Sequence, residues 1–455
     1  MNKTNSSFNQ YPISPVDGRY RHKLTSLSLY LTDFALNKYR VFIELAYLKN
    51  LSQAKIIRKF SKIELASFNQ LNESFNSEDY QRIREIEKIV NHDVKAVEEF
   101  VKEKLLKTSL KDIVSMVHFG ITSDDVNNLA YGLMIQNSLN KIIIPKLVDL
   151  DNLIKARAKL YKDIPMLSRT HGQPAAPTTV GHELAVFSQR LHQEIVELKK
   201  NKIKGKLTGN TGNLNAHQFI YSKFNWLNFS SQFVRSLDLE PDLLTTQIEP
   251  YDSYIQTFDS LRRINNILLG FCIDMWIYIS MGYFKQQVIG REVGSTALPH
   301  KVNPIYFEGA EGNFGIANAL LEFYARKLSY SRLQRDLSDS TVRRSFGIAL
   351  SYCFLGYESV IEAINRIEPN KIALSKDLNN HWEVLSEAIQ NFLRVRGYAD
   401  AYNQTKLFFR GRDVGENDVK KFIESLKLEK KDREKLLSLT PEKYIGYASE
   451  LVDKL

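Results

Sequence analysis

The chain of 455 residues is long enough for about three domains and a large buried core. Its 43% hydrophobic and 25% charged residues sit at the globular average, which excludes an intrinsically disordered or fibrous protein. The net charge of +10 suits anionic partners without separating a nucleic acid from a small phosphorylated metabolite. Glycine (21) and proline (12) are scarce, so the turns of a many-stranded protein are missing and an all-α fold is expected. The start MNKTNSSFNQYP lacks the apolar run of a secretory signal, and Cys272 and Cys353 lie far apart in apolar stretches. A cytoplasmic location without a disulfide framework is therefore expected.

In chain order, soft boundaries near Lys111 and Pro369 divide the sequence into an N-terminal helical domain (1–111), a central long-helix domain (112–368) and a C-terminal helical domain (369–455). Ile143, Leu147, Leu150, Ile154 and Ala158 recur at steps of three and four, marking one helix stripe. A polar segment with turn chemistry follows at 165–177, then a helical pattern over 181–202 and a second polar segment over 205–215. Tyr254, Phe258, Leu261, Ile264, Leu268, Phe271, Met275 and Ile279 predict one helix over 254–284. Within it Asp274 is the only formal charge from 267 to 284, and a charge there would cost ~2.5–3.5 kcal/mol in a bilayer. The segment reads as a helix buried in a helical assembly. Polar segments at 290–304 and 334–340 precede helical patterns over 304–327 and 340–366, and helices this long normally bury their apolar faces by bundling. The mixed-charge terminus, 417–455, reads as solvated helix surface.

Residues 205–212 are not GxGxxG and follow no clear strand, so no dinucleotide loop is expected. Nine histidines show neither HExxH nor CxxC-type company, so no metal is expected. Two polar segments hold more chemistry. Residues 168–175, SRTHGQPA, set His171 among small polar residues just before a proline that discourages helix. Residues 294–304, GSTALPHKVNP, bring a hydroxyl (Ser295), a cation (Lys301) and an amide (Asn303) within nine residues, hinged by Gly290 and Gly294 and stiffened by Pro299 and Pro304. Alone, either segment is more simply a closed or surface loop.

Together the two segments resemble the signature of the fumarase/aspartase superfamily, whose loop reads approximately G-S-S-x-M-P-x-K-x-N-P. The resemblance extends through SPVDGRY (14–20), NHDVKAVE (91–98), TSDD (122–125) and RDLSDST (335–341). Several separated motifs in the right order are more specific than any one. Segments 14–20 and 91–98 turn the resemblance away from fumarase and argininosuccinate lyase. They point to the branch that eliminates fumarate from adenylosuccinate, giving AMP, and from the succinylocarboxamide ribotide SAICAR, giving AICAR. The resemblance implies a cofactor-free homotetramer built on a central helical bundle, with active sites shared between subunits. A helical scaffold or nucleic-acid-binding protein is the rival that charge and helix content alone would allow.

Carried over residue by residue, the resemblance makes Ser295 the general base and His171 the general acid, an imidazole being suited to proton transfer near neutrality. Serine needs its alkoxide stabilised, so closure of 290–304 as a lid, bringing Lys301 near, is expected. Lys301 and Asn303 would stabilise charge developing on a carboxylate. Arg19, Arg335 and Arg344 would meet the substrate's anions, with Tyr20, Ser340 and Thr341 alongside. Asn91, His92, Asp93, Thr122, Ser123 and Gln247 carry over as further substrate contacts, Asp93 more as an orienter of neighbours than as a partner of an anion. Three positions depart from the pattern. Thr296 and Leu298 replace the second Ser and the Met of the loop, and Gly309 stands where an Asn contacts substrate.

Overall fold

The computed structural model describes residues 12–290 and 297–455. About two thirds of the chain is helical, and the strands among the described residues are four two-stranded pairs of two or three residues each. The all-α expectation holds. Five long helices, Ile144–Leu160, Val180–Lys200, Asp252–Ser280, Ile305–Leu328 and Phe346–Asn365, occupy the middle of the sequence. The stripes read from periodicity are their inward faces: Ile143, Leu147, Leu150, Ile154 and Ala158 are buried, as are Tyr254 through Met275 at the helical positions.

Two of these helices end differently from the hydrophobic pattern, for local reasons. The pattern over 254–284 stops at Ser280, because Gly282 takes φ +74 and the Tyr283 and Gly282 amides return to Tyr278 and Ile279. Left-handed glycine with these two bonds closes a helix by capping its last carbonyls. The pattern over 340–366 is split into Ser338–Arg343 and Phe346–Asn365. At the break the Ser345 carbonyl accepts the Tyr324 hydroxyl (2.8 Å) as well as the Ile348 (2.9 Å) and Ala349 (3.4 Å) amides, so the residue that opens the second helix is also held from outside it. Conversely, Pro145 does not stop its helix: a π-helical turn, Leu139–Ile143, joins Ser123–Ser138 to Ile144–Leu160 just ahead of it. By length and composition one stretch of the described residues, Ser338–Asn365, could cross a membrane, but 61% of its apolar window is buried inside the fold.

The chain forms two compact units, Met1–Leu147 with Glu194–Asn265 and Asn313–Gly356, and Val148–Gln193 with Asn266–Gly312 and Tyr357–Leu455. In the first, helices Asp33–Gln53, Lys62–Glu73, Ser77–Val90 and Asp93–Leu106 enclose Leu45, Leu48, Phe68, Ile83, Val97 and Phe100. Side chains buried to this degree contribute roughly 1.5–3 kcal/mol each. In the second, helices Lys371–Asn379, Ser386–Val395, Ala401–Phe409 and Glu416–Ser425 close on Leu378, Trp382, Ile389, Leu393, Val419 and Ile423.

Candidate active site

In the first unit, the start of one helix and a short helix bring Asp93, Arg344 and Ser340 into one hydrogen-bonded group. Helix Ser77–Val90 ends on Asn91 at φ +50, and helix Asp93–Leu106 starts at once, with His92 as its N-cap. His92 Nδ1 accepts the Lys95 amide (3.2 Å), so its other ring nitrogen carries the proton and faces solvent as a donor. Asp93 accepts from Arg40 (2.6 Å) and from Arg344 (3.2 Å), and Arg344 also donates to Ser340 Oγ (2.6 Å). Burial pushes the Asp93 carboxyl up, but the charges of Arg40 and Arg344 and bonds from Arg40 and the Val94 amide outweigh it and hold it below the usual carboxylate range. Arg40 is 3% exposed and Arg344 53%. Two guanidiniums on one carboxylate leave this group net positive, with its surplus facing solvent where an anion can meet it.

A second group surrounds the helix start at Thr122. Thr122 is the N-cap of Ser123–Ser138, with its amide on Asp125 (2.9 Å). Asp124, two residues on from Thr122, is buried and pairs with Arg343 (2.9 Å) and Arg335 (3.0 Å). Burial raises its carboxyl, but Arg343, Arg335 and Lys206 hold it low. Arg343 in turn reaches Asp339 (3.2 Å), which accepts the Tyr251 hydroxyl (2.6 Å). Arg335, 19% exposed, is the outer member of this group. Gln247 hangs from its amide on Gln334 O (3.3 Å) and from its side chain on Asn210. Ser340 and Thr341 lie on helix Ser338–Arg343, Thr341 exposed. Arg19 and Tyr20 lie in the turn after Ser14, whose carbonyl accepts the Gly18 amide (3.0 Å). Arg19 is exposed and is not joined to either ion-pair group.

In the second unit, His171 and Gly172 form the two-residue tip of a hairpin, Arg169–Thr170 against Gln173–Pro174. Both tip residues have positive φ, +53 and +74, the combination a tight hairpin turn demands and a non-glycine residue seldom adopts. The stem is fixed from below: Arg169 pairs with Asp377 (2.6 Å), which also accepts the Tyr283 hydroxyl. The imidazole is thus exposed on a small rigid arm. Lys301 is exposed and Asn303 half-buried, on the segment leading into Ile305–Leu328, where Gln286 donates to Val302 O (2.6 Å). Ser295 and Thr296 lie outside the described residues, as does most of the 290–304 segment ahead of Leu298. At Gly309 a Cβ would meet nothing within 4 Å, so the missing Asn contact is not replaced by packing. A cavity of about 690 Å³ lies beside the hairpin stem, where Lys406, Arg410 and Arg412 face Glu383, Glu387 and Asp413. Its balanced charge selects no ion, and it touches the stem rather than His171. Among the described residues no cluster of three metal-ligating side chains occurs.

Sequence reasoning missed the buried half of these groups: Arg40, Asp124, Arg343 and the pair Asp125–Lys206. Arg343 and Arg344 are adjacent and identical in type, and helical phase alone decides that the first is 1% exposed and the second 53%.

The chain matches the lyase family over residues 19–315 and the adenylosuccinate lyase C-terminal family over residues 331–445. It is 44% identical over 444 residues to an adenylosuccinate lyase of Legionella pneumophila (strain Corby), covering 97% of both chains. To that of Escherichia coli (strain K12) it is 41% identical over 447 residues, 97% of this chain and 98% of the other. Its fold is similar to that of a fumarate lyase from Mesorhizobium sp. BNC1 (TM-score 0.77, 18% identity, 94% and 97% covered). It is also similar to a 3-carboxy-cis,cis-muconate lactonizing enzyme from Pseudomonas putida (TM-score 0.76, 17% identity, 94% and 96% covered).

Proposed function

This chain belongs to the adenylosuccinate lyases of the fumarase/aspartase superfamily, and from that premise we propose that its elimination of fumarate runs on Ser295 as general base and His171 as general acid. The enzyme is a lyase acting on small-molecule substrates. In the proposed step Ser295 takes a proton from the succinyl carbon beside a carboxylate. The C–N bond breaks, its electron pair goes to the departing nitrogen, and His171 protonates that nitrogen. Lys301 and Asn303 stabilise the negative charge gathered on the carboxylate. Arg19, Arg335 and Arg344 hold the phosphate and carboxylates, with Tyr20, Asn91, His92, Asp93, Thr122, Ser123, Gln247, Ser340 and Thr341 around them. Asp93 acts by holding Arg344. Both adenylosuccinate and SAICAR are substrates on this reading.

The observation that carries the acid assignment is the hairpin: an exposed imidazole held at positive φ on a stem pinned by Arg169 and Asp377. Strained residues of this kind persist where the surroundings over-determine them, which marks functional positions. A cytoplasmic homotetramer with sites shared between subunits completes the proposal, with domains 1–111, 112–368 and 369–455. It is supported by apolar side chains that face outward from the long helices, among them Trp276, Ile277, Ile316, Phe323 and Ile348 at 41–47% exposure. Purified protein incubated with adenylosuccinate should release AMP and fumarate, and Ser295→Ala should lower kcat by about 10²–10⁴. Near-normal turnover in that variant would refute its role. If the site is shared, dissociating and reassembling a mixture of inactive His171→Ala and Ser295→Ala chains should restore about a quarter of the sites. No recovery despite subunit exchange would place both residues in one chain.

A further inference from the structure

We propose that Lys206, through its buried ion pair with Asp125, is a positioning residue: it holds the Thr122–Ser123 helix start and the side-chain amide of Gln247 in one register. The proposal rests on the reading that those residues contact substrate. Lys206 and Asp125 are both 0% exposed, with Nζ 2.7 Å from Oδ1. The elimination uses neither. A buried ion pair adds little that well-packed apolar residues would not, so its task is sought in what it holds.

Asp125 accepts from four groups. Lys206 Nζ and the Thr208 amide (3.0 Å) reach Oδ1, the Thr122 amide (2.9 Å) reaches Oδ2, and the Gly209 amide lies 3.1 Å from Oδ2. Lys206 Nζ also donates to Gly209 O (3.1 Å). Its own backbone is clamped by Asn128 on both sides, with Lys206 N donating to Asn128 Oδ1 (2.8 Å) and Asn128 Nδ2 donating to Lys206 O (3.0 Å). One carboxylate therefore fastens the start of Ser123–Ser138 to the 206–209 backbone.

The same backbone runs on into Gln247. Thr208 and Thr245 share a hydroxyl bond (2.7 Å), and Gly212, at φ +85, lies so close that a Cβ would sit 2.0 Å from Thr245 O. Between them Asn210 accepts from Gln247 Nε2 at its backbone O (3.0 Å) and its Oδ1 (2.5 Å). A backbone carbonyl cannot donate, so the Gln247 nitrogen must face Asn210 and its Oε1 must face away as an acceptor. Gln247 so held reads an N–H or O–H of the substrate, not a carboxylate or phosphate.

The test compares KM and kcat for adenylosuccinate, and Tm, in full-length Gln247→Ala, Asn210→Ala, Lys206→Met and Lys206→Met/Asp125→Asn. Asn210 is exposed, and Asn210→Ala should raise KM about fivefold, the worth of one net hydrogen bond, with kcat and Tm unchanged. Lys206→Met should lower Tm by leaving the Asp125 charge buried without its cation. The double variant should recover part of that loss by removing the charge, though the Nδ2 it introduces cannot accept a backbone amide, while its KM stays about tenfold raised. A double variant that recovers both, or Asn210→Ala with wild-type KM, overturns the proposal. If neither Lys206 variant folds, Asn210→Ala decides alone. If Gln247→Ala itself leaves KM unchanged, the substrate-contact reading fails and the proposal falls with it. If Gln247→Ala raises KM and the other variants do not, that reading stands and only the positioning role is refuted.

Discussion

The ion-pair groups of the first unit and the hairpin of the second are built on opposite principles. Around the half-buried Asp93 and the buried Asp124, the outer arginines Arg344 and Arg335 rest on carboxylates that are themselves balanced by the buried Arg40 and Arg343, so each outward cation is aimed by two layers of charge. His171 stands on a two-residue turn with its stem held by one ion pair. Recognition of a substrate with a phosphate and two carboxylates gains from cations that cannot wander. A proton donor needs access to the departing nitrogen, and an exposed tip provides it. On the proposed reading, the difference separates the part that binds from the part that reacts.

The largest effect that would break this contrast concerns Arg343. Arg343→Met leaves the carboxylates of Asp124 and Asp339 buried without their shared cation, and should cost about 3–5 kcal/mol of stability. A melt within a degree or two of wild type would show that the buried layer aims nothing.

The next concerns the carboxyl of Glu249, in the same unit. Burial raises it from 4.5 to about 8, against the opposing bond from the Tyr251 amide. The folded protein then keeps a proton that the unfolded chain releases above about pH 4.5. Its stabilising contribution is complete at low pH and is lost as pH rises toward 8, by up to about 1.4 kcal/mol per unit. Glu249→Gln removes this slope, so its Tm relative to wild type should climb steadily from about pH 5 to 8. A constant offset across that range would contradict the buried protonated carboxyl.

The smallest concerns the hairpin. Gly172 has φ +74 and open space around its Cβ position, so Gly172→Ala tests backbone strain without a clash and should cost about 1–2 kcal/mol locally. Turnover should fall several-fold with KM and global Tm nearly unchanged. Equal losses in KM would tie the tip to binding and blur the contrast.

The outer layer of the candidate site was proposed from the sequence because its motifs are short and contiguous: His171 with its glycine, and Arg335 and Arg344 flanking Ser340. The helix stripes were legible because burial repeats every three or four residues. The inner layer was not, since Arg40, Asp124 and Lys206 meet their partners across separations of 53 to 219 residues, where no local periodicity points. The helix break at Arg344 and Ser345 was equally hidden, and the Tyr324 hydroxyl that bonds to Ser345 there comes from 21 residues upstream. Gly282 did carry its signal, a glycine at the end of an apolar run, which the continuing hydrophobic pattern outweighed.

The central claim, that His171 reacts while the arginine groups bind, is tested most directly by measuring adenylosuccinate binding and turnover together in His171→Ala, with Arg344→Ala beside it. For His171→Ala the account predicts a kcat lowered by about 10²–10⁴ and a calorimetric Kd close to the wild-type value. For Arg344→Ala it predicts a Kd weakened by about tenfold or more and a kcat at saturation changed far less. A His171→Ala protein that turns over normally, or one that fails because substrate no longer binds, would contradict it.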